Sequence, residues 1–354
     1  MGRTVTLAEF AALLAVAQDH ALGQPPGSQL RATALAQHLA SAAGLDHTEK
    51  ADTWWCSALR FLGCTGHAFD MAVVFGDEIE MRAHAARADF ANPFDMLRLM
   101  VTHAGSDEAG LSRAGSVLAV LAGGKKAAEM NFRTACEVAD VFAKRLGLKE
   151  PVLVALRTSF ERWNGRGLPA GVKGGRIPQA MRVAQVAHEF EILARIEGPD
   201  RALQIVAARS GKAYEPALAR VVIAQGAGWW EAVEPVDPWD AALAVAPRCS
   251  PLSPGEVAEA LLVLADFADV KSPWTAGHSR AVAALTAEAC GPSAEAAALV
   301  HDLGRVSVPN TIWDKPGKLT RDEPALAPSR IRKITEKPTV KTAASGLSQK
   351  DSCS

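Results

Sequence analysis

The sequence predicts an all-α protein, on three observations. Two helix-capping devices stand before apolar runs, apolar residues recur at helical spacing, and alternating β-branched runs are scarce, with one tyrosine in 354 residues. The first device is Thr6-Leu7-Ala8-Glu9. There the Thr6 hydroxyl satisfies an orphan amide of the first turn while Glu9 reaches back to the cap amide. A helix is expected from Leu7. The run carries Glu9 and has neither a basic start nor a cleavage site, so it does not read as a signal peptide. Met1-Gly2-Arg3-Thr4-Val5-Thr6 formally fits an acylation pattern, too short a match to carry weight. The second device is Ser253-Pro254-Gly255-Glu256, with proline at the first helical position. Val257, Ala260, Leu261, Leu264 and Phe267 then follow at helical spacing. Between the two, Gly226-Ala227-Gly228-Trp229-Trp230 leads into Pro235, Pro238 and Pro251, a cluster of helix breakers that reads as a linker over 226–252. Its tryptophans are expected to pack that linker onto a neighbouring domain.

Length and composition bound the function classes. A chain of 354 residues exceeds the roughly 100–200 expected of one domain, so two are predicted. A net charge of −1 leaves no basic footprint for direct nucleic-acid binding. The cysteines at 56, 64, 136, 249, 290 and 353 lack CxxC spacing, which indicates neither a disulfide framework nor a zinc ribbon. They read as reduced thiols of a cytoplasmic protein. No run of 18 uncharged apolar residues exists, so no membrane span is expected.

Reaction chemistry is indicated at one place. His278-Ser279 precedes His301-Asp302-Leu303-Gly304-Arg305, and a loop Asp314-Lys315-Pro316-Gly317-Lys318-Leu319-Thr320 follows. Imidazole and carboxylate suit Fe, Mn or Zn, and a histidine from a separate helix completes a site that one helix cannot build alone. This stretch resembles the HD-GYP subset of the HD-domain metal-dependent phosphohydrolases. The resemblance implies a divalent metal held by His278, His301 and Asp302, with Asp302 bridging ions in the reaction and Arg305 steadying a phosphate oxygen. Arg305 stands where the family has lysine; it keeps the charge but offers a planar fork.

A worn internal duplication accompanies it. Ser28 to Leu35 can be laid on His278 to Leu285, and Ala58 to Gly63 on Leu299 to Gly304. Glu161-Arg162-Trp163-Asn164-Gly165-Arg166-Gly167-Leu168-Pro169 is similar to the family's second signature, and Tyr214-Glu215-Pro216-Ala217-Leu218 to its closing segment. Two HD-domain-like helical bundles are therefore expected, the second truncated: a degenerate copy over 1–225, the linker, a partial copy over 253–323, and a disordered tail over 324–354. In the first copy Ser28 replaces the leading histidine, Phe61-Leu62 replaces His-Asp, and Ser159-Phe160 replaces a His-His pair. Phe and Leu bind no cation, so that copy is expected to be non-catalytic. Gly165 and Gly167 are expected to supply unusual backbone angles, and Trp163 to anchor the loop. His67, His103 and His188 stand at no ligand spacing.

In the second copy only 23 residues separate His278 from His301, against 33 between Ser28 and Phe61. Sharing the deficit would shorten two helices by about 7 Å each at 1.5 Å per residue, drawing His278 off the metal. Further ligand helices are expected to be missing beyond Asp322-Glu323. The reading is therefore a phosphohydrolase resembling cyclic di-GMP phosphodiesterases, impaired or inactive in this chain, with a cyclic dinucleotide or other phosphate ester as ligand and a homodimer as a further possibility. The alternative is a non-catalytic helical signalling protein related to HD-domain transcriptional regulators.

Overall fold

The structure, a computed structural model, describes residues 4–89, 92–104 and 111–318. The tail over 324–354, with Leu319 and Thr320 of the expected loop, lies outside the described residues. The described chain is helical without a strand; its only β features are two isolated bridges, Thr6 with Pro251 and Ser210 with Tyr214. Both capping boxes form. Thr6 starts α1 (Leu7–Ala21) and Ser253 starts α13 (Pro254–Asp269), each with the glutamate three residues on closing the reciprocal bond. Between them lie α2 (Ser28–Ala42), α3 (His47–Ala58), α4 (Ala68–Phe75), α5 (Glu78–Ala85), α6 (Pro93–His103), the long α7 (Leu111–Arg145) and α8 (Glu150–Leu156). Next come α9 (Gln179–Glu197), α10 (Pro199–Arg209), α11 (Pro216–Val233) and α12 (Pro238–Ala244). After α13 follow α14 (His278–Cys290), α15 (Glu295–Leu299) and α16 (Asn310–Trp313).

The main core gathers apolar faces from both ends of the chain. Phe10 and Leu14 of α1, Trp54 and Trp55 of α3, Phe142 of α7 and Met181 of α9 meet Val263, Leu264 and Phe267 of α13 in one cluster. A second cluster packs α2 and α9 against α10 and α11 through Leu35, Leu39, Phe190, Val206 and Val222. Buried aliphatic and aromatic side chains each contribute roughly 1.5–3 kcal/mol relative to exposure.

The stretch 226–252 is not a run of broken helix. Helix α11 continues through Gly226 and Gly228 to Val233, and α12 follows directly. Gly226 serves close packing: a Cβ there would stand 3.1 Å from Leu203 and from Phe190. The tryptophans do pack inward. The Trp229 ring stacks on His38 at 6.0 Å, the Arg31 guanidinium lies 5.9 Å from the Trp230 ring centre, and α12 caps Trp54 through the Ala242 carbonyl at 3.0 Å.

Candidate metal and phosphate site

Helix α13 ends on Asp269, a buried carboxylate. Its Oδ2 accepts from the Ser279 amide at 2.8 Å and its Oδ1 from the Ser279 hydroxyl at 2.7 Å. A carboxylate at a helix N-terminus is favoured by the partial positive charge there, and this one pins the first turn of α14. Gly277, at φ 75, turns the chain into that helix, so that His278 is its first residue. The opposite wall comes from the turn after α15. There the His301 Nδ1 lies 2.7 Å from the Ala298 carbonyl. A carbonyl only accepts, so the geometry assigns the proton to Nδ1 and leaves the Nε2 lone pair for a cation.

The three predicted ligands converge. The Nε2 atoms of His278 and His301 each stand 3.5 Å from Asp302 Oδ2, and one ligand atom from each residue lies within 4.8 Å of the other two. Both imidazoles are exposed and the carboxylate is half-buried, so the cluster opens to solvent. Among the described residues no other group of three His, Cys, Asp or Glu side chains meets that spacing. Two imidazoles and a carboxylate fit a divalent ion with open coordination positions. Arg305 is buried behind them: its Nη1 is 3.4 Å from Asp302 Oδ2, and its guanidinium lies 4.4 Å from the centre of the Trp313 ring. Burial lowers the Arg305 pKa, while Asp302, Asp314 and Asp269 pull it back up.

His278 therefore does not miss the site, contrary to expectation. The deficit falls mainly on one helix: α14 keeps 13 residues against 15 in α2, whereas α15 has 5 against 12 in α3. A loss concentrated in the second helix leaves the start of the first in place.

The two aligned stretches share a hydrogen-bond arrangement. Asp19, at the end of α1, accepts from the Gly27 and Gln29 amides at 2.8 and 3.0 Å, as Asp269 accepts from Ser279. Gly27, at φ 88, repeats Gly277. Ser28, in the place of His278, spends its hydroxyl on the Pro25 carbonyl at 2.8 Å. The alignment of Ala58 to Gly63 on Leu299 to Gly304 puts Arg60-Phe61, and not Phe61-Leu62, where His301-Asp302 stand, and the helix ends at Ala58 and Leu299 agree with it. Leu62 is a core residue. The buried Arg60 donates to the Ser159 carbonyl at 3.1 and 3.3 Å, and burial brings its pKa down to about 10. The Phe61 ring centre lies 4.7 Å from that of His188 and 6.1 Å from that of Phe160. An arginine and an aromatic cluster fill the first copy where ligands would stand.

The second-signature loop keeps its frame. Gly165 takes φ 78, whereas Gly167 serves proximity, since a Cβ there would sit 2.3 Å from the Arg162 amide nitrogen. Glu161 accepts from the Ala170 amide at 2.8 Å, and the Arg182 guanidinium lies 5.7 Å from the Trp163 ring centre. His67 and His188 are buried, with pKa values pushed well below the ordinary range by burial first. Three features went unread in the sequence: buried Lys271, and the exposed rings of Trp274 and Trp313. Pro273-Trp274 and Trp313-Asp314 flank the motif and carried the available signal.

A helical body that brings a helix-starting histidine onto a His-Asp turn is the arrangement expected of the HD-domain fold. No family model matches the chain. It is similar to 3'3'-cGAMP-specific phosphodiesterase 3 of Vibrio cholerae, 27% identical over 333 residues that cover 90% of this chain and 72% of that protein. A crystal structure of a cyclic GMP-AMP specific phosphodiesterase from V. cholerae superposes with a TM-score of 0.66 at 25% identity, covering 95% of this chain and 81% of that one. Both likenesses support the resemblance to the HD-GYP-type HD-domain phosphohydrolases. None of the described helices is long and apolar enough to cross a membrane, and none of the five described cysteines is in a disulfide.

Proposed function

We propose that the chain is a metal-dependent phosphohydrolase acting on a cyclic dinucleotide, with its reaction centre at His278, His301 and Asp302. The observation that carries this is the convergence of the three ligand atoms within 4.8 Å beside a buried arginine. The V. cholerae relatives, which act on 3'3'-cGAMP and cyclic GMP-AMP by their names, support the substrate class.

Iron, manganese or zinc suits the donor set, and such an ion acts as a Lewis acid on a phosphoryl oxygen when bound. The protein's own part follows from the geometry. The Ala298 carbonyl holds the His301 ring in one tautomer, and Asp269 holds the helix that presents His278. Asp302 lies between the two imidazoles and Arg305, which keeps positive charge facing the place of a phosphate oxygen. The first copy serves as scaffold, its ligand positions being occupied by Ser28, Arg60 and Phe61. That replacement also favours a second reading, a non-catalytic protein that binds the cyclic dinucleotide and signals.

Manganese titration and turnover of 3'3'-cGAMP separate the two. The expected result is metal-dependent turnover, with metal binding lost in His301→Ala and Asp302→Ala. Arg305→Lys should retain the metal and weaken substrate binding, because the bidentate fork becomes a point charge. Binding of the dinucleotide with no turnover at any metal concentration would favour the second reading. Turnover that survives His301→Ala would overturn the assignment of the centre.

A further inference from the structure

Beside the metal cluster, and separated from it by Arg305, lies an open groove of about 560 Å³. Phe69 of α4 lines one side. Trp274, Trp313, Arg305, Asp314 and Lys315 line the rest. Trp274 is 77% exposed and Trp313 41%, although each ring has more apolar area to bury than almost any other side chain. Both are nevertheless held firmly. The Trp274 amide is bonded to the Ser272 hydroxyl at 3.3 Å, and Ser272 in turn donates to Asp314 at 2.8 Å. Asn310 donates to the other Asp314 oxygen at 2.7 Å and thereby ties down the short helix that carries Trp313. One face of Trp313 is covered by the Arg305 guanidinium.

From this we infer that the groove is a nucleobase subsite: one base of a cyclic dinucleotide stacks on Trp274, with Trp313 as its floor, while the adjoining phosphate meets Arg305 and Lys315. The inference rests on the function proposed above and deepens it. Aromatic faces interleaved with cations are the arrangement that binds single nucleotides, the ring taking the π-face of the base and the cation its phosphate. Continuity with the metal cluster supplies the second half of the argument. The same Arg305 touches Asp302 on one side and Trp313 on the other, so a phosphate at the cluster puts its nucleoside over the groove. Phe69 comes from the degenerate copy, giving that copy a part in recognition although it holds no ligand cluster.

The test is equilibrium binding of 3'3'-cGAMP to the full chain without added metal, with manganese affinity and melting temperature measured on the same samples. Trp274→Ala and Trp313→Ala should each weaken the dinucleotide about 10- to 100-fold, the range of a lost base–aromatic stack. Trp274→Phe should recover most of the loss, and manganese affinity should stay unchanged. Dinucleotide affinities within twofold of wild type in both alanine variants, with the fold intact, overturn the subsite while leaving the metal-centre reading standing. Affinity that depends on Trp274, in a protein that binds no manganese and turns over nothing, supports the subsite and sinks the enzymatic reading. Failure of the wild type to bind the dinucleotide overturns the subsite outright.

Discussion

Two histidines, His301 and His188, end in opposite roles because of what surrounds them. His301 keeps one ring nitrogen on a backbone carbonyl and the other towards Asp302, at the surface. His188 is buried against Phe61, and burial, then the charges of Arg60 and Arg195, hold it well below the ordinary histidine range. Its folded-state pKa thus lies below its unfolded value, so the unfolded chain takes up the proton first as pH falls. The stability it contributes is complete above about pH 6.5 and is lost as pH drops from there towards the folded value. Melting temperature should therefore fall below pH 6.5, and His188→Gln should flatten part of that fall; an unchanged slope in the variant would remove His188 as the cause. The ligand triad was readable as residue types and order. The surroundings of Phe61 were not, because its contacts with His188 and Phe160 join residues about 100 or more positions apart.

At the scale of the element, the informative unit is a helix end held by the carboxylate of the helix before it. Asp19 holds α2, and Asp269 holds α14 through two bonds of 2.7 and 2.8 Å to Ser279. Asp269→Ala should fray the first turn of α14 and release His278, at a stability cost of about 1–3 kcal/mol for the orphaned buried donors. Manganese affinity should drop with it, more than in Asp19→Ala, although both lose the same kind of contact. Equal manganese affinities in the two variants would detach the helix end from the site. The helix starts at Leu7 and Pro254 were legible because capping boxes are local. Gly226, a helix breaker by residue type, lies inside α11 because its missing side chain lets Leu203 and Phe190 approach.

Across the whole molecule, a buried ion pair joins the end of α13 to the start of α5. Lys271 Nζ, 2.6 Å from Glu78 Oε1, also donates to the Val308 carbonyl at 2.7 Å and to Asn310 Oδ1 at 2.5 Å. Glu78 accepts in return from the Asn310 amide at 3.1 Å. Both side chains are almost fully enclosed, and burial lowers the Lys271 pKa. Removing one partner strands the other charge, so Lys271→Met should cost about 3–5 kcal/mol. Adding Glu78→Gln should return part of that. Chemical denaturation of the single and double variants checks it, and additive losses would show that the two groups act separately. Because Phe267 of α13 sits in the same core as Trp54 and Phe142, Phe267→Ala should lower the stability of the whole described body by about 3–5 kcal/mol. One unfolding transition moving as a unit is expected; a second transition left in place would contradict a shared core.

What the sequence by itself determined is what short-range chemistry writes into neighbouring residues: the all-α class, both capped helix starts, and a His, His-Asp set of metal-binding character. The tertiary structure alone decided that His278 still reaches Asp302, since most of the missing residues came out of α15 and few out of the helix that presents the ligand. It also decided that Phe61 packs against His188 and Phe160, that Glu78 and Lys271 meet across 193 positions of sequence, and that Trp274, Trp313 and Phe69 share a groove. These are contacts between residues distant along the chain. Their formation depends on how helices pack, and local composition carries no record of it.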